Sequence, residues 1–121
     1  MAVVSDLEAV HRDVVAIMKR HYGDRLATLM LFGSYARGDF HEDSDIDYLV
    51  VLTDEAISLS REISALSPTL SQYFLNYNVW ISAKVTTKEV YLNTIKPFFA
   101  EVRREAKVIY DAKFSFLPEE I

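Results

Sequence analysis

Residues 32–47 read Phe32-Gly33-Ser34-Tyr35-Ala36-Arg37-Gly38-Asp39-Phe40-His41-Glu42-Asp43-Ser44-Asp45-Ile46-Asp47, and the fold turns on this stretch. It opens where one apolar run, Leu26–Phe32 (LATLMLF), stops, and closes where a second, Ile46–Leu52 (IDYLVVL), starts. Both runs are too short for a stable helix and too continuous for a half-exposed strand, so each reads as a buried strand. The polar turn between them, residues 33–44, contains two of the chain's three glycines, Gly33 and Gly38, so backbone freedom is concentrated there.

The turn also carries the chemistry. A Gly-Ser pair directly after a buried strand lets the backbone approach a ligand, and a helical turn starting there would aim N–H groups at an anion, as in a phosphate cradle. The Ser34 hydroxyl can bond a phosphate oxygen, and the planar Arg37 guanidinium can reach another. Arg37 can equally form an ion pair with Asp39, Asp43 or Asp47 that fixes the loop. Asp45 and Asp47 are two apart at a strand start, so their carboxylates leave one face and converge. Such a pair is unfavourable without a cation, and magnesium binds through one or two carboxylates plus substrate phosphates. A Mg²⁺–nucleotide complex satisfies both halves of the pattern.

Working outward, residues 3–22 repeat apolar side chains at three- and four-residue steps. They predict an amphipathic helix ending at Gly23, with Ser5-x-x-Glu8 as its capping box. A second helix is expected over residues 54–73, broken near Ser67 by Pro68. Residues 78–85 (NVWISAKV) fit a third strand. Thr86-x-x-Glu89 offers a capping box for a short helix, Pro97 suits the first turn of another over 97–106, and residues 107–110 form a candidate edge strand. The order predicts an α/β (α+β) domain with a small mixed sheet flanked by helices. Residues 1–121 are expected to form a single domain, with 112–121 as a C-terminal tail whose Phe114, Phe116, Leu117 and Ile121 fold back or meet a partner.

Composition narrows the function. Half of the 121 residues are apolar and 26% charged, which fits one domain with one core. The formal charge of −5 argues against general nucleic-acid binding. The chain has no cysteine, which excludes disulfides, thiolate nucleophiles and the common structural zinc sites and fits a cytoplasmic location. Asp6, Glu8 and Asp13 interrupt the start where an export signal needs an apolar stretch, and the longest apolar run, residues 48–52, cannot span a membrane.

The spacing Gly33-Ser34, ten residues, Asp45-x-Asp47, with Ala36, Arg37, Gly38 and Ser44, resembles the signature of the DNA polymerase β-like nucleotidyltransferase superfamily. It is most similar to the minimal nucleotidyltransferase (MNT) proteins, and the order of elements extends that resemblance over nearly the whole chain. The resemblance implies that Asp45 and Asp47 hold Mg²⁺, that Gly33 and Ser34 cradle the triphosphate of ATP, and that Arg37 stabilises charge as pyrophosphate leaves. It also implies a third carboxylate on the next strand, a position that falls on Asn78, or on Ser82 if the register moves by four residues. Neither residue is an acid, and an amide cannot accept a proton as a base. Proteins of this kind are often antitoxins paired with an all-helical HEPN ribonuclease toxin. The resemblance therefore implies an adenylyltransferase that moves AMP from ATP to a tyrosine of that toxin, within a hetero-oligomer. The alternatives are an inactive protein that neutralises its toxin by binding, and an enzyme acting on a small molecule such as an antibiotic.

Other conspicuous residues have plainer readings. His11, His21 and His41 lie apart and are expected on solvated or helix-surface positions, with His41 alone in the motif loop. The aromatic residues Tyr73, Phe74, Tyr77, Trp80, Tyr91, Phe98 and Phe99 are expected to pack the core, one of them being free to hold an adenine ring. Arg103, Arg104 and Lys107 read as a solvated helix end.

Overall fold

A computed structural model describes residues 6–112. Helix α1 (Leu7–Tyr22) leads through a 3-10 turn (Gly23–Arg25) into β1 (Leu26–Phe32), then one helical turn α2 (Ser34–Arg37) and β2 (Ile46–Leu52). Helix α3 (Leu59–Tyr77), β3 (Ile81–Thr87), α4 (Lys88–Asn93), α5 (Pro97–Glu105) and β4 (Lys107–Asp111) follow. The strands form one mixed sheet in the order β3-β2-β1-β4. β1 is antiparallel to both β2 and β4, while β2 and β3 run parallel, as the α3 crossover between them requires.

The continuous apolar runs are explained by burial on both sheet faces, which gives two apolar clusters in place of the single core expected. Leu29, Leu31, Tyr48 and Val50 face one way and pack with Val14 and Met18 of α1 and Leu66 and Tyr73 of α3. Met30, Phe32, Leu49 and Val51 face the other way, against Tyr91 of α4 and Val102 of α5. Alternation along β2 therefore turns Asp47 toward the α4–α5 face. Among the described residues no helix is long and apolar enough to cross a membrane.

Several boundaries move from their expected places. The described cap of α1 is Asp6, whose carboxylate accepts from the Ala9 N–H at 3.1 Å; Ser5 and the tail residues 113–121 lie outside the described residues. Pro68 does not divide α3, which runs on to Tyr77. The carbonyl that loses its proline partner belongs to exposed Ser64, where water can satisfy it, while Leu66, Leu70 and Tyr73 hold the helix against the sheet. The cap of α4 is Thr87, one residue after the expected Thr86, and its hydroxyl accepts from the Val90 N–H at 3.2 Å. Helix α5 and the edge strand β4 fall where the sequence puts them.

His11 is a clear departure from a solvated helix surface. It is buried on the inward face of α1, and its Nδ1 lies 2.6 Å from the hydroxyl of the fully buried Tyr48. Burial holds its pKa below the usual value, outweighing the opposite pull of Glu8. His21 is exposed, as expected. The aromatic residues divide: Tyr73 and Tyr91 are core, whereas Tyr77, Trp80 and Phe98 stay substantially exposed, with Phe74 stacked on Trp80. Arg103 is more than a solvated cation, since its guanidinium donates to the carbonyls of Tyr91 at 2.5 Å and Thr94 at 2.9 Å and ties α5 to α4.

Candidate active site

The chain leaves β1 through Gly33, whose φ of 75° is open to glycine but costly for any residue with a Cβ. One helical turn follows, begun by the Ala36 and Arg37 N–H groups donating to the Gly33 carbonyl, each at 3.0 Å. It ends at Gly38, which has φ 89° and donates its N–H to the Ser34 carbonyl at 2.8 Å. Both motif glycines thus occupy backbone conformations that require them, and Ser34 begins the turn between them.

The loop back to β2 is stabilised by its own side chains. The Ser44 hydroxyl accepts from the His41 N–H at 3.0 Å, and the Ser44 N–H donates to the His41 carbonyl at 2.9 Å. The His41 ring accepts from the Asp43 N–H at 3.2 Å. His41 and Ser44 therefore shape the approach to Asp45, an organising role that sequence reading did not assign to them.

Asp45 is exposed just before β2, and Asp47 is half-buried within it. Burial raises the Asp47 pKa most, and the charge of Asp45 raises it further, while a hydrogen bond from the Ser82 hydroxyl and the charges of Lys84 and Arg37 act the other way. The two carboxylates therefore lie close enough for the charge of one to act on the other. Two hard oxygen donors under like-charge repulsion suit a divalent cation. Among the described residues no cluster of three or more His, Cys, Asp or Glu side chains could hold a metal ion, so phosphate oxygens would have to complete the coordination.

Asp47, Phe32, Gly33, Ser34 and Arg37 form one wall of an open cleft of about 340 Å³. Phe98, Glu101, Val102 and Glu105 of α5 form the other. Arg37 is about half exposed and is held by Asp39 at 3.2 Å and Glu105 at 2.9 Å; the second partner was not among the residues expected. A separate groove of about 210 Å³ lies between α3 and β3, lined by Leu66, Leu70, Trp80 and Ile81 with Ser67 and Ser71 as polar groups. It contains no charged side chain, whereas the α5 cleft presents Arg37, Asp47, Glu101 and Glu105.

Asn78 does not stand on the third strand. It caps α3 in the left-handed conformation, φ 57° and ψ 36°, and donates its N–H to the Phe74 carbonyl at 2.7 Å. The strand begins three residues later, and the residue paired with Asp47 is Ser82. Of the two positions named from the sequence, only Ser82 stands on the third strand, and the placement of Asn78 there is corrected: its αL preference ends a helix.

Comparison with known proteins identifies the family and the fold. Residues 11–115 match the family described as "Nucleotidyltransferase domain". A Methanocaldococcus jannaschii protein named "Putative protein adenylyltransferase MJ0141" is 30% identical over 105 residues, covering 84% of this chain and all of the relative. A second from that organism, "Putative protein adenylyltransferase MJ0604", is 35% identical over 107 residues, covering 85% of this chain and 97% of the relative. Among solved structures, a toxin-antitoxin crystallised with AMP-PNP aligns with a TM-score of 0.62 at 16% identity, over 85% of this chain and 74% of its own. That last likeness is one of fold.

Proposed function

The chain belongs to the nucleotidyltransferase domain family, and from that premise we propose that it is an adenylyltransferase antitoxin that moves AMP from ATP to a tyrosine of a HEPN ribonuclease toxin. The observation that carries the reading is the placement of Gly33 directly against Asp47 in an open cleft that Ser34 and Arg37 also line. The names of the relatives support protein adenylylation, and the toxin-antitoxin neighbour crystallised with AMP-PNP supports both the partner class and the nucleotide.

In this reading Gly33 lets the backbone approach the triphosphate, and the Ser34 hydroxyl donates to a phosphate oxygen. Asp45 and Asp47 would hold Mg²⁺, which when bound neutralises phosphate charge and polarises the phosphorus. The acceptor oxygen forms a bond to the α-phosphorus, the bond to the bridging oxygen breaks, pyrophosphate departs, and the acceptor's proton passes to solvent. Arg37 leaves Glu105 to stabilise the charge that develops on the leaving group. Phe98, 40% exposed at the cleft, offers a ring face to the base. The open cleft favours an acceptor carried on another protein's surface over an enclosed small molecule.

A second reading, neutralisation of the toxin by binding alone, is favoured by one observation: Ser82 stands where a third carboxylate is expected. Intact-mass spectrometry of the co-expressed pair after incubation with ATP and Mg²⁺ separates the two. A toxin mass gain of whole AMP units, lost with Asp45→Asn/Asp47→Asn, is the expected result. A neutralised toxin of unchanged mass would overturn transfer in favour of binding.

A further inference from the structure

Asp47 is flanked across the sheet by Phe32 on β1 and Ser82 on β3. Residues paired across neighbouring strands point to the same face, so Ser82 shares the α4–α5 face with Asp47. On one side the Asp47 carboxylate lies so close to Gly33 that any Cβ there would collide with it. On the other, Ser82 stands in register with Asp47 on the neighbouring strand, and its hydroxyl counters the upward shift of the carboxyl's pKa. The cations that act on Asp47 do so through charge: Arg37 is paired with Asp39 and Glu105, and Lys84 is exposed two residues along the edge strand. Ser82 is therefore the neutral polar residue paired with Asp47 on the same sheet face.

We propose that Ser82 is a positioning residue, which fixes the Asp47 carboxylate for a divalent cation delivered with the nucleotide and adds no third negative charge to the site. The inference rests on the nucleotidyltransferase reading and deepens it. A hydroxyl at this position removes a ligand charge, so the protein grips a free cation weakly and the triphosphate oxygens supply the rest of the coordination. Outer groups that orient a ligating side chain commonly influence metal affinity about as strongly as 10–100-fold. The hydroxyl itself is no base at neutral pH, so Ser82 acts through Asp47 and not on the acceptor.

The test uses the full chain and calorimetric titration with ATP, once with Mg²⁺ and once with EDTA, for the native protein, Ser82→Ala, Ser82→Cys and Ser82→Thr. The Ala and Cys variants are expected to bind Mg²⁺–ATP about tenfold more weakly, with metal-free ATP affinity unchanged. Thr, which keeps the hydroxyl, should restore native affinity. Cys nearly preserves the size of Ser, so it retains the test if Ala perturbs the edge strand. Native-like Mg²⁺–ATP binding by Ala and Cys would overturn the positioning role, as would an equal loss with and without metal. A native chain that binds no Mg²⁺–ATP would instead overturn the functional reading beneath it.

Discussion

A Cβ on Gly33 would collide with Oδ2 of Asp47 and stand 3.1 Å from its Cγ, so only glycine at position 33 leaves the Asp47 carboxylate where it is. Two parts of the motif that are fourteen positions apart in sequence thus meet at the end of the β1–β2 pair. Gly33→Ala adds this collision to an unfavourable φ of 75° and is expected to destabilise the fold by about 1–3 kcal/mol. It should also displace Asp47 and abolish Mg²⁺–ATP binding. Ser34→Ala is the contrasting variant: its side chain is only half-buried, so ATP affinity should fall while the melting temperature stays near native. Urea denaturation and calorimetry on the two variants check both expectations, and equal ATP affinity in Ser34→Ala would remove the phosphate-cradle role.

The Arg37–Glu105 contact ties the motif turn to α5 across the mouth of the cleft. A guanidinium already bonded to two carboxylates must exchange at least one for a phosphate. Glu105→Gln weakens the competing partner and is expected to tighten nucleotide binding, whereas Arg37→Ala should weaken it. Titration of each variant with Mg²⁺–ATP reads the two opposite signs. Weakened binding in both would mean that the contact shapes the cleft and does not compete with phosphate.

The strands and the motif were legible because their physical signals are local. Two apolar runs bounded by glycine and aspartate fix β1 and β2 to the residue, and the ten-residue spacing marks the candidate site between them. What local signals missed depends on packing. Apolar content alone did not distinguish one core from two sheet faces, because that requires knowing that α4 and α5 cover the second face. The β-rich look of residues 78–85 concealed a helix end, since Asn78 in αL and the stack of Phe74 on Trp80 extend α3 to Tyr77. The Arg37–Glu105 and His11–Tyr48 pairs join residues 68 and 37 positions apart, and no periodicity reports such contacts. Asparagine's preference for αL was the one available sign that Asn78 ends a helix.

His11 makes folding stability depend on pH. Its ordinary value is 6.5, and burial holds the native value lower. Above 6.5 the ring is neutral in both native and unfolded chains, and its contribution is fully present. As pH falls from 6.5 toward the native value, the unfolded chain takes up a proton that the native chain refuses, so stability is lost in that window. Urea denaturation from pH 8 to 5 should show this decline, and His11→Gln should remove the share due to this ring. Tyr48→Phe leaves the buried Nδ1 without its partner at 2.6 Å and is expected to cost about 1–3 kcal/mol near neutral pH. An unchanged pH profile in His11→Gln would assign the acid sensitivity to other groups.

Asn78 and Ser82 are four residues apart, and the same substitution at each should give different answers. Asn78 supports α3 through a left-handed cap, so its backbone conformation matters more than its side-chain charge. Asn78→Gly should keep native stability, because glycine adopts αL freely, while Asn78→Val should lose about 1–2 kcal/mol. Asn78→Asp retains a residue that tolerates αL, and since position 78 is off the strand, Mg²⁺–ATP affinity should stay native. Ser82→Asp instead sets a carboxylate in register with Asp47 on the same face. Repulsion should destabilise the metal-free chain, and added Mg²⁺ should raise its melting temperature by more than it raises that of the native protein. Thermal melts with Mg²⁺ and with EDTA measure the difference directly. A metal-dependent gain in Asn78→Asp, with none in Ser82→Asp, would return the third position to Asn78 and overturn the β2–β3 register as the guide to this site.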